Sequence, residues 1–458
     1  MLLKSLRVLT LLLLASAMGA HAQQGPNIVL IVADDQGYGD TDVFWKESRI
    51  QTPSLDRLAT EGIRLTNFRV QPLCTPTRAS LMTGLFNAGF NKKGSAHKFG
   101  VDARVDLVSE IFGRAGYRVG GFGKWHLGNT DGSHPIDRGF ERWVGFYGGH
   151  MPYHYSAGRA HVYDGKTAYK QRWEHSTDLF ADEAIQFIHD NQDRPFFVYL
   201  AFNAVHTPLW TKSNRTYSAR ADWINKIRAR GITDPQTIDY YAVVEHMDER
   251  VGSVLDTLDA LDLKRKTVVV YLSDNGAITP DCFPHYPQMG SNGPYRGCKA
   301  TPYEGGVRVP FIAAWPGTIP AKTVSAQPSV DADILPTLLD MAGLQTPEMN
   351  GPRKLDGRSM LPVLKAPART TLPPRATMSW LGGLFAYVEY PWKLVSVNKF
   401  IGLPNSKGME VTDGRLLFNL ETDPGETTDM THEHQERADE MWSRYQALYQ
   451  SIRAPLHD

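Results

Sequence analysis

The fold is decided by the stretch Asn27-Ile28-Val29-Leu30-Ile31-Val32-Ala33, which Asp34-Asp35 follows directly. Its apolar residues run on without the alternation that a half-exposed strand would show, so the stretch predicts a strand buried on both faces. Two further runs of this kind cover residues 195–202 and 267–272. The sequence therefore predicts a sheet whose central strands are covered on both sides.

Helical patterns lie between these runs, at residues 54–61, 177–190 and 239–261. This alternation predicts an α/β fold with a largely parallel central sheet flanked by helices. Two of the strands run into polar pairs, Asp34-Asp35 and Asp274-Asn275. Because parallel strands bring their carboxyl ends to one edge of a sheet, we expect a site at that edge.

The chain changes character near residues 362–374, where four prolines lie close together. Such a segment is typical of a domain boundary. Short strand signals and a final helical pattern follow it, at residues 385–388, 392–397, 416–420 and about 432–452. We therefore predict a main domain over residues 23–365 and a smaller C-terminal α+β subdomain over residues 370–458, with a small antiparallel sheet and a helix.

Charge gives no sign of a nucleic-acid or membrane partner. Lys+Arg and Asp+Glu both number 49, so the formal charge is zero and no strong field exists to attract a polyanion. Partners must therefore be inferred from the sites, and the sequence does not indicate an oligomeric state.

The first 22 residues have the pattern of a signal peptide. Lys4 and Arg7 precede an apolar run at residues 8–18, and Ala20-His21-Ala22 fits the small-residue cleavage rule. The apolar run is much shorter than the roughly 20 residues that cross a bilayer. We therefore expect cleavage before Gln23, export to the periplasm or the medium, and no membrane span.

The chain has three cysteines, Cys74, Cys282 and Cys298. In an oxidising compartment an odd number leaves one thiol that needs an explanation. Cys282 and Cys298 lie in a Pro- and Gly-rich segment that can fold back on itself, so a disulfide between them is the favoured hypothesis. Two separately packed cysteines remain the alternative, because the sequence does not give the Cα separation.

Cys74-Thr75-Pro76-Thr77-Arg78, with Leu81-Met82-Thr83-Gly84 after it, resembles the C-x-P-x-R signature of type I sulfatases. These enzymes belong to the alkaline-phosphatase-like superfamily, so the resemblance implies that fold and a catalytic role for the main domain. It also implies that a formylglycine-generating maturation enzyme oxidises Cys74 to an aldehyde, which hydrates to a diol. One diol oxygen would attack sulfur, and the other would later expel sulfate. A helical pattern beginning near Thr77 would turn free N–H groups toward the anion.

A second stretch, from Gly116-Tyr117 to Gly123-Lys124-Trp125-His126, is similar to another sulfatase signature and departs from it at Val119. The resemblance implies that Lys124 holds the sulfate and that His126 accepts a proton from the diol. By the same resemblance Arg78 fixes the diol, while His206 and Lys299 flank the leaving oxygen. Tyr303-Glu304-Gly305-Gly306-Val307-Arg308-Val309-Pro310, just after Lys299, is similar to the family's E-G-G-x-R-x-P stretch.

A metal site is predicted from hard oxygen donors at two strand ends. Asp34, Asp35, Asp274 and Asn275, together with a formylglycine oxygen at Cys74, match the ligand set that the resemblance implies for calcium. None of these four residues has an adjacent histidine, which argues against zinc. Carboxylates at strand ends also serve as turn formers, as Asp274-Asn275-Gly276 illustrates.

The substrate implied by the resemblance and by export is a sulfated carbohydrate. Residues 128–153 look similar to the N-acetylgalactosamine-4-sulfatase-like branch, although Gly148, Gly149 and His150 stand where many relatives place a serine. The aromatic-rich residues 143–173 favour sugar stacking and core packing about equally. Two alternatives remain: a phosphoesterase of the same superfamily, against which Asn275 argues, and a catalytically silent protein that binds sulfated glycans.

Overall fold

The computed structural model describes residues 25–86, 100–155, 161–207, 219–280, 282, 290–345, 354–381, 384–396 and 414–453. Its strands are β1 (Asn27–Ala33), β2 (Ile63–Leu65), β3 (Phe68–Arg69), β4 (Arg118–Lys124), β5 (Arg142–Phe146), β6 (Tyr163–Asp164), β7 (Thr167–Ala168), β8 (Phe196–Ala201), β9 (Thr267–Ser273), β10 (Phe311–Ala314), β11 (Thr323–Ser325), β12 (Ser329–Val330), β13 (Ala376–Leu381), β14 (Leu384–Glu389), β15 (Trp392–Ser396) and β16 (Arg415–Asn419). The predicted signal peptide lies outside these residues.

The helices are α1 (Pro53–Glu61), α2 (Cys74–Thr83), α3 (Val108–Arg114), α4 (Ser176–Asp190), α5 (Ala221–Ala229), α6 (Pro235–Ala260), α7 (Glu304–Val307), α8 (Ile334–Met341), α9 (Leu361–Lys365) and α10 (Gln435–Arg453). Short 3-10 turns occur at Tyr38–Asp40, Pro135–Arg138, Lys264–Lys266 and Asp331–Asp333. Among the described helices, none combines the length and the apolar character that a membrane crossing requires.

The main sheet has the order β11-β2-β10-β9-β1-β8-β4-β5-β6-β7 in the described residues. Strand β1 pairs in parallel with both β8 and β9, so that Ile31 lies between Leu200 and Tyr271. The parallel block continues through β4 and β5, whereas β10 runs antiparallel to β9. The α/β fold with a largely parallel sheet, as predicted, is confirmed.

Strand β1 lies at the centre of this sheet and is covered on both faces. Val29 and Ile31 pack into one hydrophobic cluster, whereas Ile28 and Leu30 pack into a second cluster on the opposite face. Successive side chains of a strand point to opposite faces, so an apolar residue at every position is what a doubly covered strand requires. This burial explains why the apolar stretch at residues 27–33 predicted the fold.

The C-terminal sheet is small and antiparallel, with the order β13-β14-β15-β16. Helix α10 packs against it through Met441 and Tyr445, which share a cluster with Phe385. This arrangement confirms the predicted small sheet plus helix. Strand β13 was not predicted, because the prolines before it suggested a boundary rather than a strand.

A buried ionic cluster joins the C-terminal sheet to the main domain. Lys393 of β15 lies 2.8 Å from Glu304 Oε1 and 2.8 Å from Glu426 Oε1, and all three side chains are fully buried. Arg69 makes a bidentate salt bridge to Glu304, with hydrogen bonds of 2.8 and 2.7 Å. Glu426 also accepts a hydrogen bond from the Glu304 backbone N–H at 2.6 Å. The E-G-G-x-R stretch and the later Asp423-Pro424-Gly425-Glu426 turn therefore meet in this cluster.

Replacing Lys393 by methionine should destabilise the protein strongly. The change removes the positive charge that lies between the two buried glutamates, Glu304 and Glu426. Removing one partner of a buried ion pair costs about 3–5 kcal/mol of stability. Urea denaturation should show a loss of this size in the free energy of unfolding. The double variant Lys393→Met/Glu426→Gln, which removes a charge of each sign, should recover part of the loss. A Lys393→Met protein as stable as the wild type would contradict this account of the cluster.

Candidate active site

Cys74 is the first residue of helix α2, and its side chain is buried. The helix begins three residues earlier than the predicted start near Thr77. Pro76 lies in the first turn, where a proline costs no hydrogen bond, because the first N–H groups of a helix have no partner within it. Position 74 therefore lies at the positive end of the helix dipole, as an anion site requires.

Burial raises the pKa of the Cys74 thiol to about 12, and it outweighs the opposing effect of Lys124 and Lys299. An unmodified thiol here stays protonated at neutral pH, and the thiolate is the nucleophilic form of cysteine. Position 74 is thus a poor place for ordinary thiol chemistry.

Arg78, one turn further along α2, ties the helix to three strand ends. Its side chain is fully buried, and its Nε and Nη2 atoms donate to Asp274 Oδ2 at 2.9 and 2.7 Å. Its Nη1 atom donates to the Lys124 carbonyl at 3.1 Å and lies 3.2 Å from the Tyr199 hydroxyl. These hydrogen bonds from one guanidinium group hold position 74 beside the carboxyl ends of β4 and β9 and beside Tyr199 of β8.

Two lysines pair with the acidic residues that follow β1. Lys124 Nζ lies 2.7 Å from Asp34 Oδ2, and Lys299 Nζ lies 2.6 and 2.8 Å from the two oxygens of Asp35. Asn275 donates from Nδ2 to Asp35 Oδ1 at 2.8 Å. The structure therefore brings residues from four separate stretches of sequence into one buried group.

The two neighbouring carboxyls differ in acidity. Burial raises the pKa of Asp34 to about 8 despite the nearby Lys124. Burial would also raise the pKa of Asp35, but Lys299 and then His206 outweigh it and hold that pKa below its usual range. Asp35 is therefore ionised at neutral pH, whereas Asp34 needs additional positive charge to lose its proton fully.

His206 lies between Asp35 and the chain that follows β8. Its Nδ1 atom is 2.7 Å from the Thr207 carbonyl, which can only accept, so Nδ1 carries the proton. Its Nε2 atom lies 3.7 Å from Asp35 Oδ2. Burial, and then Lys299, hold the pKa of His206 well below its usual value, so the ring is neutral with an unprotonated Nε2 at the site.

Tyr153 supports the His206 loop and was not singled out as a site residue from the sequence. Its hydroxyl lies 2.9 Å from the His206 carbonyl and 3.2 Å from the Asn203 carbonyl. From the sequence, a tyrosine in an aromatic-rich segment is expected to pack in the core. Only the folded structure shows which backbone carbonyls its hydroxyl contacts. Tyr199, which contacts Arg78, was missed for the same reason.

His126 follows β4 by two residues, as Asp35 follows β1. Both residues have a left-handed backbone, with φ of 60° for His126 and 67° for Asp35. This conformation is uncommon for residues with a side chain, and it turns both chains sharply at the edge of the sheet. Gly149 packs against the His126 ring, because a Cβ atom there would come within 2.9 Å of His126 Nε2.

The site fits a hard divalent cation. Asp34 Oδ1 and Asn275 Oδ1 are buried and accept no hydrogen bond from the residues that the structure describes. Two such oxygens within one group of carboxylates are suitable ligands for a hard cation such as calcium. If the three aspartates and the three basic side chains are all ionised, their charges cancel, and a divalent cation would make the site positive overall.

The E-G-G-x-R stretch holds the loops of the site together. Helix α7 (Glu304–Val307) lies against the turn after Asn275, where Gly276 donates to the Gly306 carbonyl at 3.0 Å. A Cβ atom at Gly276 would come within 1.8 Å of the Gly305 carbonyl, so only glycine permits this approach. Lys299 donates from its backbone N–H to the Ala277 carbonyl at 3.0 Å. The glycines thus fix the position of the predicted metal ligands relative to Lys299.

The predicted disulfide is confirmed. Cys282 and Cys298 are bonded, with a Cα separation of 6.3 Å that lies within the usual range. Closing a loop of this length stabilises a protein by roughly 3 kcal/mol in the chain-entropy view. Because Cys298 directly precedes Lys299, the bond restrains the loop that carries this lysine. Cys74 is the free cysteine.

A second group of potential ligands, His175, Asp178 and His246, lies between α4 and α6. Asp178 there already pairs with Arg220 at 2.9 Å and lies 3.7 Å from Arg250. A cation would face two guanidinium groups, so we interpret this group as a buried structural network. His246 Nε2 lies 2.8 Å from Asp178 Oδ1 within it.

This arrangement places a buried group of paired acidic and basic side chains at the carboxyl edge of an α/β sheet, where enzymes of this class hold their active sites. The family model described as sulfatase matches residues 26–344, and a model described as N-sulphoglucosamine sulphohydrolase, C-terminal, matches residues 298–451. The N-acetylgalactosamine-6-sulfatase of Mus musculus is 36% identical over 386 residues, which cover 77% of this chain and 69% of that protein. The crystal structure of Ps i-CgsB superposes with a TM-score of 0.77 at 28% identity and covers 93% of both chains.

The chain therefore belongs to the sulfatase family, and it is a sulfuric ester hydrolase. Steryl-sulfatase of Mus musculus is a more distant relative, 28% identical over 95% of this chain and 83% of its own length. Membership of the N-acetylgalactosamine-4-sulfatase-like branch stays a prediction, since the similar mouse and human proteins are N-acetylgalactosamine-6-sulfatases.

Proposed function

We propose that this protein is an exported, calcium-dependent sulfatase that hydrolyses sulfate esters of a glycan through a formylglycine made from Cys74. The observation that carries the proposal is the environment of position 74. It lies at the start of α2, and the aspartates around it pair with Arg78, Lys124 and Lys299. We retain the main domain at residues 23–365 and the C-terminal subdomain at residues 370–458 as part of the proposal.

Calcium would be held by Asp34, Asp35, Asp274, Asn275 and an oxygen of the modified residue 74. When bound, it would neutralise these carboxylates and draw the sulfate ester into the site. The formylglycine hydrate would supply the nucleophilic oxygen. It requires a maturation enzyme in the host, and we propose no nucleic-acid partner.

The roles of the other residues follow from their charges. Lys124 and Arg78 provide positive charge beside the sulfate and orient residue 74, as their contacts with Asp34 and Asp274 support. Lys299 remains charged, because the Asp35 carboxylate outweighs burial and raises its pKa. Since the neutral His206 presents an unprotonated Nε2, Lys299 is the group of this pair that can donate toward the leaving oxygen. His126 would accept the proton that is lost when sulfate is expelled.

A glycan is the substrate class that the similarities favour. The relatives include enzymes named for N-acetylgalactosamine 6-sulfate. The structure of Ps i-CgsB was also determined in complex with k-i-k-neocarrahexaose. These names describe those proteins. For this chain they motivate a sulfated sugar over a simple aryl sulfate.

The test is a panel of sulfate esters assayed with matured enzyme. N-acetylgalactosamine 4- and 6-sulfates and sulfated oligosaccharides should be hydrolysed with higher kcat/KM than small aryl sulfates, because a sugar offers hydroxyls to the polar site. A phosphodiester serves as the control for the phosphoesterase alternative. A large preference for the phosphodiester would overturn the proposal.

A further inference from the structure

Four aromatic side chains of the segment at residues 143–173 pack inside the protein. Trp143, Phe146, Tyr153 and Trp173 are all at most 8% exposed. These four rings are therefore not available to stack on a sugar, whereas Tyr155 of the same segment is 44% exposed. His150 differs from the four buried residues because it is exposed to solvent.

His150 lies beside two histidines of the site. Its ring is nearly parallel to that of His206, with 6.0 Å between the centroids and 11° between the planes. The preceding residue, Gly149, packs directly on His126. Since the His206 side chain is only 13% exposed and His150 is exposed, His150 lies on the solvent side of the site, where the rest of a substrate would extend.

The position of His150 is fixed by its neighbours. Three residues before it, the Tyr147 hydroxyl donates to the Gly165 carbonyl, and its ring stacks on Tyr163 at a centroid distance of 4.7 Å. Directly after it, Met151 is 3% exposed. Anchored neighbours on both sides limit the freedom that the backbone at His150 can lose on contact with a ligand, which favours binding.

We propose that His150 is a specificity-determining residue that hydrogen-bonds a hydroxyl of the sugar bearing the sulfate ester. This inference rests on the proposed function. His150 is exposed but partly enclosed by its surroundings, and this partial burial, followed by Lys124 and Lys299, lowers its pKa, so its ring is neutral at pH 7. A neutral imidazole donates from one nitrogen and accepts at the other, which matches a hydroxyl group. An aryl sulfate offers no such group.

The experiment compares His150→Ala with the wild type on two substrates. One is the sulfated sugar that the wild type hydrolyses fastest in the panel above, and the other is 4-nitrophenyl sulfate. The variant should lose about tenfold in kcat/KM for the sugar, mainly through KM, which corresponds to about 1.4 kcal/mol. Its kcat/KM for the aryl ester should stay within about twofold of the wild type.

His154→Ala is the matched control, because His154 lies four residues further on and contacts the Glu174 carbonyl at 3.0 Å. It should change neither rate. An equal loss on both esters in His150→Ala would show that His150 supports His206 rather than the sugar, and no loss on either would show no contact. Both results would overturn the inference while leaving the proposed function in place. A matured wild type that hydrolyses no sulfate ester would overturn the proposed function, and this inference with it.

Discussion

Replacing Cys74 by alanine should lower kcat for sulfate ester hydrolysis by a factor of about 10³ or more, with the fold retained. The proposed nucleophile and the group that releases sulfate both derive from this one side chain. Removing it leaves the positive site but no atom that can form the new bond to sulfur. The side chain is small and makes no ion pair, so the melting temperature should change little. The measurement is steady-state kinetics together with a thermal unfolding curve.

Cys74→Ser is the sharper companion variant. Its hydroxyl could attack sulfur once, but a serine sulfate ester lacks the second hydroxyl that expels sulfate. We therefore expect at most one alcohol released per protein chain. Sustained turnover by either variant at a near-normal rate would contradict the proposed mechanism.

Calcium removal should have the second large effect, on both activity and stability. Without a cation, Asp34, Asp35 and Asp274 lie close together, and two of the buried oxygens accept no hydrogen bond from the residues that the structure describes. Chelation should abolish turnover and lower the melting temperature, and added calcium should restore both, because a ligand that binds only the folded state stabilises it.

Asp34→Asn is the cleanest variant for this test. It keeps the size of the side chain and an oxygen near Lys124 but removes one negative charge, so the thermal response to calcium should disappear. Asp274→Ala should abolish the same response, although it also leaves the buried Arg78 without its two-pronged partner. If metal analysis instead finds stoichiometric zinc, or if Asp34→Asn still responds to calcium like the wild type, the ligand assignment is wrong.

Much of the fold could be predicted from local sequence, because the central strands are recognisable as uninterrupted runs of apolar residues. The residues of β1 are apolar at successive positions, since each face of the strand meets a separate hydrophobic cluster. The grouping of Asp34 with Asp274 could be predicted for a similar reason, since adjacent parallel strands end at one edge. The disulfide could be proposed from the position of two cysteines in a turn-rich loop.

Other features depend on contacts that no local pattern reveals. Lys393 and Glu304 are 89 residues apart in sequence, and a lysine within a strand pattern does not indicate a buried ion pair. The start of α2 was predicted near Thr77, three residues after its actual start at Cys74. Arg138, which lies in the stretch at residues 128–153, contacts Glu110 and the Val101 and Val105 carbonyls, so it supports the scaffold.

The most direct test of the proposed function is mass spectrometry of the peptide that contains residue 74. The protein should be produced in a host that also makes the formylglycine-generating enzyme, since a host without it would leave the thiol unchanged. Under the proposed mechanism, residue 74 has lost its sulfur and reacts as an aldehyde with hydrazine reagents. An intact cysteine at position 74 in protein from such a host, together with full sulfatase activity, would contradict it.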